Sequence, residues 1–538
     1  MASLILSKHR AESVHLWALL GALVLSVATF IFVCVLKGSG GATAVLGPAQ
    51  PSSLTGAVVR FHLEPTLWPL ALGLALGACS LYLTELGRNS SPRPRLVAVS
   101  LGLLAVGLSA IWSATPFTMI VTWALSDLLL FPGLLIDGAG RGTSVRALAF
   151  GAASTLLLWA GALAAGDGMG NVQWPLIPPG GVKMTIWMVA ALLRIGAYPL
   201  HLSALTRTGS TSPLAAILLL SPVIGWGLWI RLAVVNGGTP PAATWVAVVA
   251  LLTVTAGGLL AWTARRSRDA RPFIAMGANG VVLLSSTWIA LSGGGQGTAG
   301  GVPLAVVPLG VVGWLLGTVV LFLGSGVPWH RIFQRRALVT SVPSLIGALS
   351  LSGVPLTLGF VAESYVLSGE PWGPRLAFFA GRVFLVAALG RWLLEPPPLE
   401  EDVALPRQVS LAAGAIAPAF FLVLTGLAPA LVLSGVPGLS LADLFAGQSL
   451  ISWLLWVVSV LLGGVLVWQD VVIRKDGSRM LAAVHNLVLL DWTYRLLSGA
   501  VEHGLAVIRT LDEILGGRGA LLWSLILFLV LVLAWRVS

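Results

Sequence analysis

Apolar runs of about twenty residues, the length that crosses a bilayer as a helix, recur along this whole chain. About fifteen are legible by composition and length. They lie near 15–37, 66–87, 95–112, 116–136, 143–165, 182–205, 213–234, 243–264, 271–292, 301–324, 337–367, 375–395, 407–435, 450–472 and 518–536. Of 538 residues, 57% are hydrophobic and only 9% charged, against about a quarter charged in a soluble domain. No stretch of ~100 residues remains that would fold as a soluble domain. The expected fold class is an all-α polytopic membrane protein.

The net charge of +11 would suggest nucleic acid on a soluble protein. Here the basic residues fall in short loops, and on alternate loops at that. Arg88, Arg93 and Arg95 are followed on the same expected side by Arg141 and Arg146, then Arg207. Next come Arg265, Arg266 and Arg268, then Arg331, Arg335 and Arg336, and last Arg474, Lys475 and Arg479. Opposite loops hold little more than Lys37, Arg60 and Arg375. Cationic loops stay in the cytoplasm, which places the N-terminus there and the end of the last span outside. The partner implied is the lipid bilayer, not nucleic acid. The opening MASLILSKHR does not read as a cleavable signal peptide.

Segment 476–516 mixes Leu487, Leu490, Leu497, Val501 and Leu505 with Asp491, Arg495, Glu502, His503, Arg509, Asp512 and Glu513. It reads as an amphipathic helical stretch along the cytoplasmic surface, either covering the bundle's own loops or contacting a neighbouring subunit. The two cysteines, Cys34 and Cys79, both sit in apolar spans and read as packing residues. No metal, nucleotide or redox-centre motif occurs, so no catalytic, cofactor-binding or metal-ligating residue is expected in this chain.

Five ionisable residues interrupt otherwise apolar spans: Asp127, Arg194, His201, Glu363 and Arg382. A charge at the bilayer centre costs at least ~2.5–3.5 kcal/mol, and such residues face a bundle interior or a water path. They are the candidate proton path. Asp127 is either a carboxylate neutralised by Arg194 or a protonatable gate that follows its partner. Arg194 reads as a fixed charge, His201 as a capping group or a relay member. Glu363, beyond a helix break and without a basic neighbour in sequence, is a candidate for proton movement; Arg382 on an adjacent span could pair with it, either within that path or as a purely structural pair. Arg231 and Arg391 fall at span ends, where snorkelling to the interface is the default.

Two spans carry helix breakers. The sixth holds Gly196 and Pro199 after Arg194, and the eleventh holds Gly353, Pro355 and Gly359 before Glu363. Proline removes a donor and clashes with the preceding turn, and carbonyls freed inside a membrane need protein or water. Interrupted helices at corresponding places in two halves point to a transport path. The expected organisation follows: N-terminal helices in 1–94, five-helix repeats in 95–234 and 243–395, and accessory helices in 407–472. The lateral segment 476–516 and a last helix in 518–538 complete it. An odd number of spans per repeat makes the two repeats inverted.

These residues resemble the antiporter-like membrane subunits of respiratory complex I, membrane-bound hydrogenases and multisubunit sodium/proton antiporters. Five matches over roughly 95–395 carry the resemblance. They are Asp127 five residues before Pro132; Arg194 five before Pro199-Leu200-His201; Gly225 to Arg231; Asp269 to Ala275; and Leu351-Ser352-Gly353-Val354-Pro355 with Gly359-Phe360 and Glu363. The ending, with Leu490-Asp491-Trp492-Thr493-Tyr494-Arg495 before a last span, is similar to the distal type of these subunits, and the family's first helix is expected to be missing. Four departures stand out, one of them Leu202-Ser203-Ala204-Leu205-Thr206 where the family runs Trp-Leu-Pro-Asp after its Pro-Leu-His turn. Arginine occupies position 194 where the family has lysine, and 213–230 carries no lysine or histidine. Met276-Gly277-Ala278-Asn279 replaces the family's tyrosine–serine stretch. The resemblance implies an inner-membrane subunit of a proton-translocating complex, with other membrane subunits and peripheral redox subunits as partners. Any enzyme label, such as NADH–quinone oxidoreductase, would belong to the assembly. Alternatives within the same fold are the membrane subunit of an inorganic-carbon uptake complex with a zinc-containing partner, and a non-conducting structural subunit.

Overall fold

The structure, a computed structural model, describes residues 2–38, 43–46, 58–88, 93–138, 141–166, 171–200, 220–237, 244–291, 302–323, 335–369, 372–394, 405–432, 445 and 450–490. His201, the rest of the lateral segment beyond Leu490 and the expected span 518–536 lie outside them. The chain divides after Asp476 into two units, the second beginning at Gly477.

Helices occupy the apolar runs that the described residues cover. They are α1 Ala2–Val35, α2 Trp68–Gly87, α3 Pro94–Ile111, α4 Pro116–Asp137, α5 Arg141–Ala164, α6 Gly181–Ile195, α7 Leu220–Val235 and α8 Thr244–Thr263. Then follow α9 Ser267–Leu291, α10 Val302–Leu323, α11 Arg335–Leu351, α12 Gly359–Gly369, α13 Trp372–Leu394, α14 Leu405–Leu427, α15 Leu450–Trp468 and α16 Asp470–Leu489. Ten helices among the described residues are long and apolar enough to cross a membrane. This is a multi-pass membrane protein.

Two rings of helices dominate the first unit. From α3 to α7 each helix packs on the next, and α7 returns to α3. From α8 the chain runs through α9, α10 and α11, and α13 returns to α8. Helix α10 also meets α2 and α7 and is almost wholly enclosed, whereas α1 and α15 expose most of their surface. An apolar surface of that kind is stable only against lipid or another apolar partner. Glycines set the tightest crossings in the second ring. A Cβ on Gly257 would meet the backbone of Gly277 at 2.5 Å, and one on Gly258 would run into the Gly381 carbonyl.

One short ribbon lies beside the helices. Strands β1 Thr43–Leu46 and β2 Val59–His62 form an antiparallel ribbon, Thr43 opposite His62. The ribbon docks on the α3–α4 link, with the His62 amide donating to the Trp112 carbonyl at 2.8 Å and the Ala114 amide to the Arg60 carbonyl at 2.9 Å. The run Val58-Val59-Arg60-Phe61-His62 has strand-forming residues but is too short to compete with the apolar spans for notice.

Two interruptions of the helices shape the interior. Helix α6 stops at Ile195, capped by Gly196 at φ 77°, and does not continue through 205. Its freed Ile195 carbonyl accepts from Asn279 Nδ2 of α9 at 3.0 Å, and the Tyr198 amide donates to Thr253 Oγ1 of α8 at 3.0 Å. Asn279 Oδ1 also accepts from Trp226 Nε1 of α7 at 2.7 Å, so one buried amide joins both rings. The second break separates α11 from α12, with Gly353 at φ 64°. Asn279→Ala strands the Ile195 carbonyl and the Trp226 N–H, and should lower stability by about 1–3 kcal/mol. Gly353→Ala should cost at least ~1–2 kcal/mol from the left-handed backbone alone, and more because its Cβ would occupy the place of the Glu363 carboxylate. Thermal unfolding in mild detergent measures both; wild-type midpoints would contradict the account.

Candidate functional site

Asp127 of α4 and Arg194 of α6 form a buried ion pair inside the first ring. Asp127 lies on the inner face of α4 and Arg194 in the last turn of α6, both at most 4% exposed. Arg194 Nη1 donates to Asp127 Oδ1 at 2.5 Å and to Ser154 Oγ of α5 at 3.3 Å. Its Nη2 donates to the Trp123 carbonyl at 3.2 Å, and its guanidinium sits 4.9 Å from the Trp123 ring centre. Thr155 Oγ1 donates to the other carboxylate oxygen at 3.2 Å. Gly151 makes the room: a Cβ there would run into the Asp127 carboxylate. Interior arginine is stable in such surroundings because its five N–H groups lie in a plane that matches several acceptors at once.

Glu363 lies in the second turn of α12, just beyond the other break, and pairs with Arg382 of α13. Both are 3% exposed. Arg382 Nη2 donates to the Ser352 carbonyl at 2.7 Å, while Nη1 donates to Ser459 Oγ at 2.5 Å and to the Trp456 carbonyl at 3.2 Å. The guanidinium is 5.1 Å from the Trp456 ring centre. Trp456 Nε1 in turn donates to the Gly353 carbonyl at 3.1 Å, and Ser350 Oγ accepts the Gly359 amide at 3.2 Å. One arginine thus answers both a carboxylate and a carbonyl that the break has released. Pro355 stands within the break, between Val354 and Leu356.

Arg231 does not snorkel. It is 1% exposed, donating through Nη2 to the Ile111 carbonyl at 2.5 Å and through Nη1 to the Gly227 carbonyl at 3.3 Å. Ile111 is the last residue of α3, so the cation sits at the negative end of that helix. Arg391 behaves nearer to expectation, at the bundle's edge. It donates to the Ala264 and Arg265 carbonyls at 2.6 and 2.9 Å, and Asp470 lies 3.4 Å from its Nε.

The sequence reading missed Ser154, Asn279, Trp456 and Ser459. A serine or tryptophan in an apolar span carries no signal of its own, since serines there commonly bond back to their own helix. Asn279 offers a signal in retrospect, as an amide in a span must find a partner. Along the seam between the rings the bonds are neutral: Trp226 to Asn279, and Trp229 Nε1 to Ser286 Oγ at 3.2 Å. Among the described residues no three His, Cys, Asp or Glu side chains converge to hold a metal ion.

No protein-family model and no curated protein matches the chain. Solved structures do. A chain of the Mrp complex from Dietzia sp. DQ12-45-1b aligns with a TM-score of 0.72 at 17% identity over 99% of this chain, which spans only 63% of the length of that one. A chain of the membrane-bound sulfane sulfur reductase MBS, an archaeal respiratory membrane complex, aligns at 0.68 with 16% identity over 95% of each. A chain of respiratory complex I from Thermus thermophilus aligns at 0.58 with 17% identity, over 80% of this chain and 95% of that one. At such identities the likeness establishes architecture, and the chain has the fold shared by membrane subunits of the Mrp, MBS and complex I assemblies, the group that its motifs resemble.

Proposed function

We propose that the chain is an inner-membrane subunit of a multisubunit ion-translocating complex. In this reading protons move through it by way of Asp127 and Glu363, coupled to redox chemistry in partner subunits. The observation that carries the proposal is a pair of enclosed arginine–carboxylate sites, each at an interrupted helix inside the membrane. Ionisable groups are retained at that depth for ion pathways, and interrupted helices supply the backbone groups that line them. Arg194 and Arg382 act as fixed charges, since arginine does not give up its proton in proteins. His201, two residues after Pro199, is proposed as a further station, and the N-terminus is proposed to be cytoplasmic on the distribution of basic loops.

A second reading is a subunit that holds its neighbours and conducts nothing. One observation favours it: both carboxylates are bound to permanent cations, and no lysine stands where a mobile proton carrier would be expected.

Purification from native membranes should bring along further membrane subunits, identified by mass spectrometry; recovery of the chain alone would overturn membership of an assembly. In the intact assembly in proteoliposomes, Asp127→Asn and Glu363→Gln should each lower proton flux about tenfold or more, as neutralising a buried station implies, without loss of subunits. Wild-type flux in both variants would remove the conduction proposal and leave the structural reading.

A further inference from the structure

The surroundings of Arg194 and Arg382 correspond partner by partner, although different helices supply them. Each arginine faces one carboxylate, Asp127 or Glu363. Each donates to one serine hydroxyl, Ser154 or Ser459. Each serine in turn donates at 2.7 Å to the carbonyl three residues before it, Gly151 or Trp456. The hydroxyl proton is therefore turned away and an oxygen lone pair is turned toward the guanidinium. Each guanidinium also lies over a tryptophan ring and bonds, at 3.2 Å in both cases, the backbone carbonyl of that same tryptophan. Arg382 adds the Ser352 carbonyl.

An ordinary buried ion pair has no such reserve. When one partner is neutralised the other is left as an uncompensated charge, and the loss is large. Here three neutral groups stay with each cation: a hydroxyl oxygen, a carbonyl oxygen and an aromatic face. Oxygen dipoles bond a charged donor more strongly than a neutral one, and the attraction of a cation to an aromatic face grows when both are desolvated.

We propose that Trp123 with Ser154, and Trp456 with Ser459, are positioning residues that hold Arg194 and Arg382 in place whether or not Asp127 and Glu363 carry charge. The arginine is the immovable member of each pair and the carboxylate the exchangeable one. This deepens the proposed function, yet it rests on the contacts of the arginines and assumes no ion movement. Its test reads stability, so its failure is separable from a failure to conduct.

The test is a double-mutant cycle at each site, read as the unfolding midpoint of the full chain purified with whatever assembly it brings. Glu363→Gln alone and Ser459→Ala alone should each lower the midpoint modestly. Together they should lower it by more than the sum of the two losses, because the cation then lacks both the balancing negative charge and the serine oxygen that stays with it when that charge is gone. Ser459→Thr, which keeps the hydroxyl, should return the combination with Glu363→Gln to additivity. Asp127→Asn with Ser154→Ala and Ser154→Thr should repeat the pattern. Arg382→Met and Arg194→Met should fall further than either carboxylate variant. Additive losses at both sites would overturn the proposal, as would carboxylate variants that fall as far as the arginine variants. If the arginine variants do not fold, the serine–carboxylate cycles decide alone.

Discussion

A helix that stops inside a membrane leaves backbone carbonyls and amides with no water to bond, and the architecture of this chain follows from how two such stops are satisfied. At the first, the Ile195 carbonyl and the Tyr198 amide find Asn279 and Thr253, both supplied by the second ring. At the second, the Ser352 and Gly353 carbonyls find Arg382 and Trp456, the Gly359 amide finds Ser350, and the Leu358 amide finds the Leu422 carbonyl of α14 at 3.0 Å. The first ring therefore does not close chemically without the second, and the second needs α14 and α15. Helices that look like accessories in the sequence complete the backbone bonding of the site.

The same geometry explains why the charges sit where they do. A broken helix end is one of the few places in a bilayer where strong acceptors are already concentrated. An arginine placed there offers five donors to them and carries a charge that its neighbouring carboxylate balances. Isolated, either charge would be costly at that depth; paired and bonded to carbonyls, neither is isolated. Arg231 shows the same logic without a carboxylate bonded to it, since the end of α3 supplies the negative pole.

The spans and breaks were legible because the bilayer imposes run length and because glycine and proline mark interruptions openly. The Asp127–Arg194 and Glu363–Arg382 pairs were legible because charges this rare have few partners to choose from. What escaped notice was everything whose partner is a backbone atom. Asn279 bonds a carbonyl 84 residues away, and no pattern of residue types announces such a bond. Ser154 and Ser459 look like the many serines that bond within their own helices, and both do so as well. Arg231 was read as a span-end residue because the carbonyl it caps belongs to a helix far from it in sequence. The strand ribbon was missed for a different reason: four-residue strands leave almost no periodicity to read.

Arginine at position 194, in place of the lysine that the motif resemblance leads one to expect, is matched by its setting. A lysine ammonium is a compact point charge whose pKa shifts readily when buried; a guanidinium holds its proton and presents a planar fork. Arg194 uses that fork on three oxygens from α4 and α5 and on the Trp123 ring, a set arranged for several donors held in one plane. The seam toward the second ring is consistent with it: among the described contacts α7 turns tryptophan N–H groups to Asn279 and Ser286, while its Arg231 turns to the Ile111 carbonyl of α3. Buried arginine–carboxylate pairing is thus gathered at two sites, with Arg231 a further buried cation, and the described contacts that join the rings between the two sites are neutral. On the proposed function the carboxylates are the exchangeable element of this layout, because the cations are held from several sides and the contacts between the two sites are made by neutral groups.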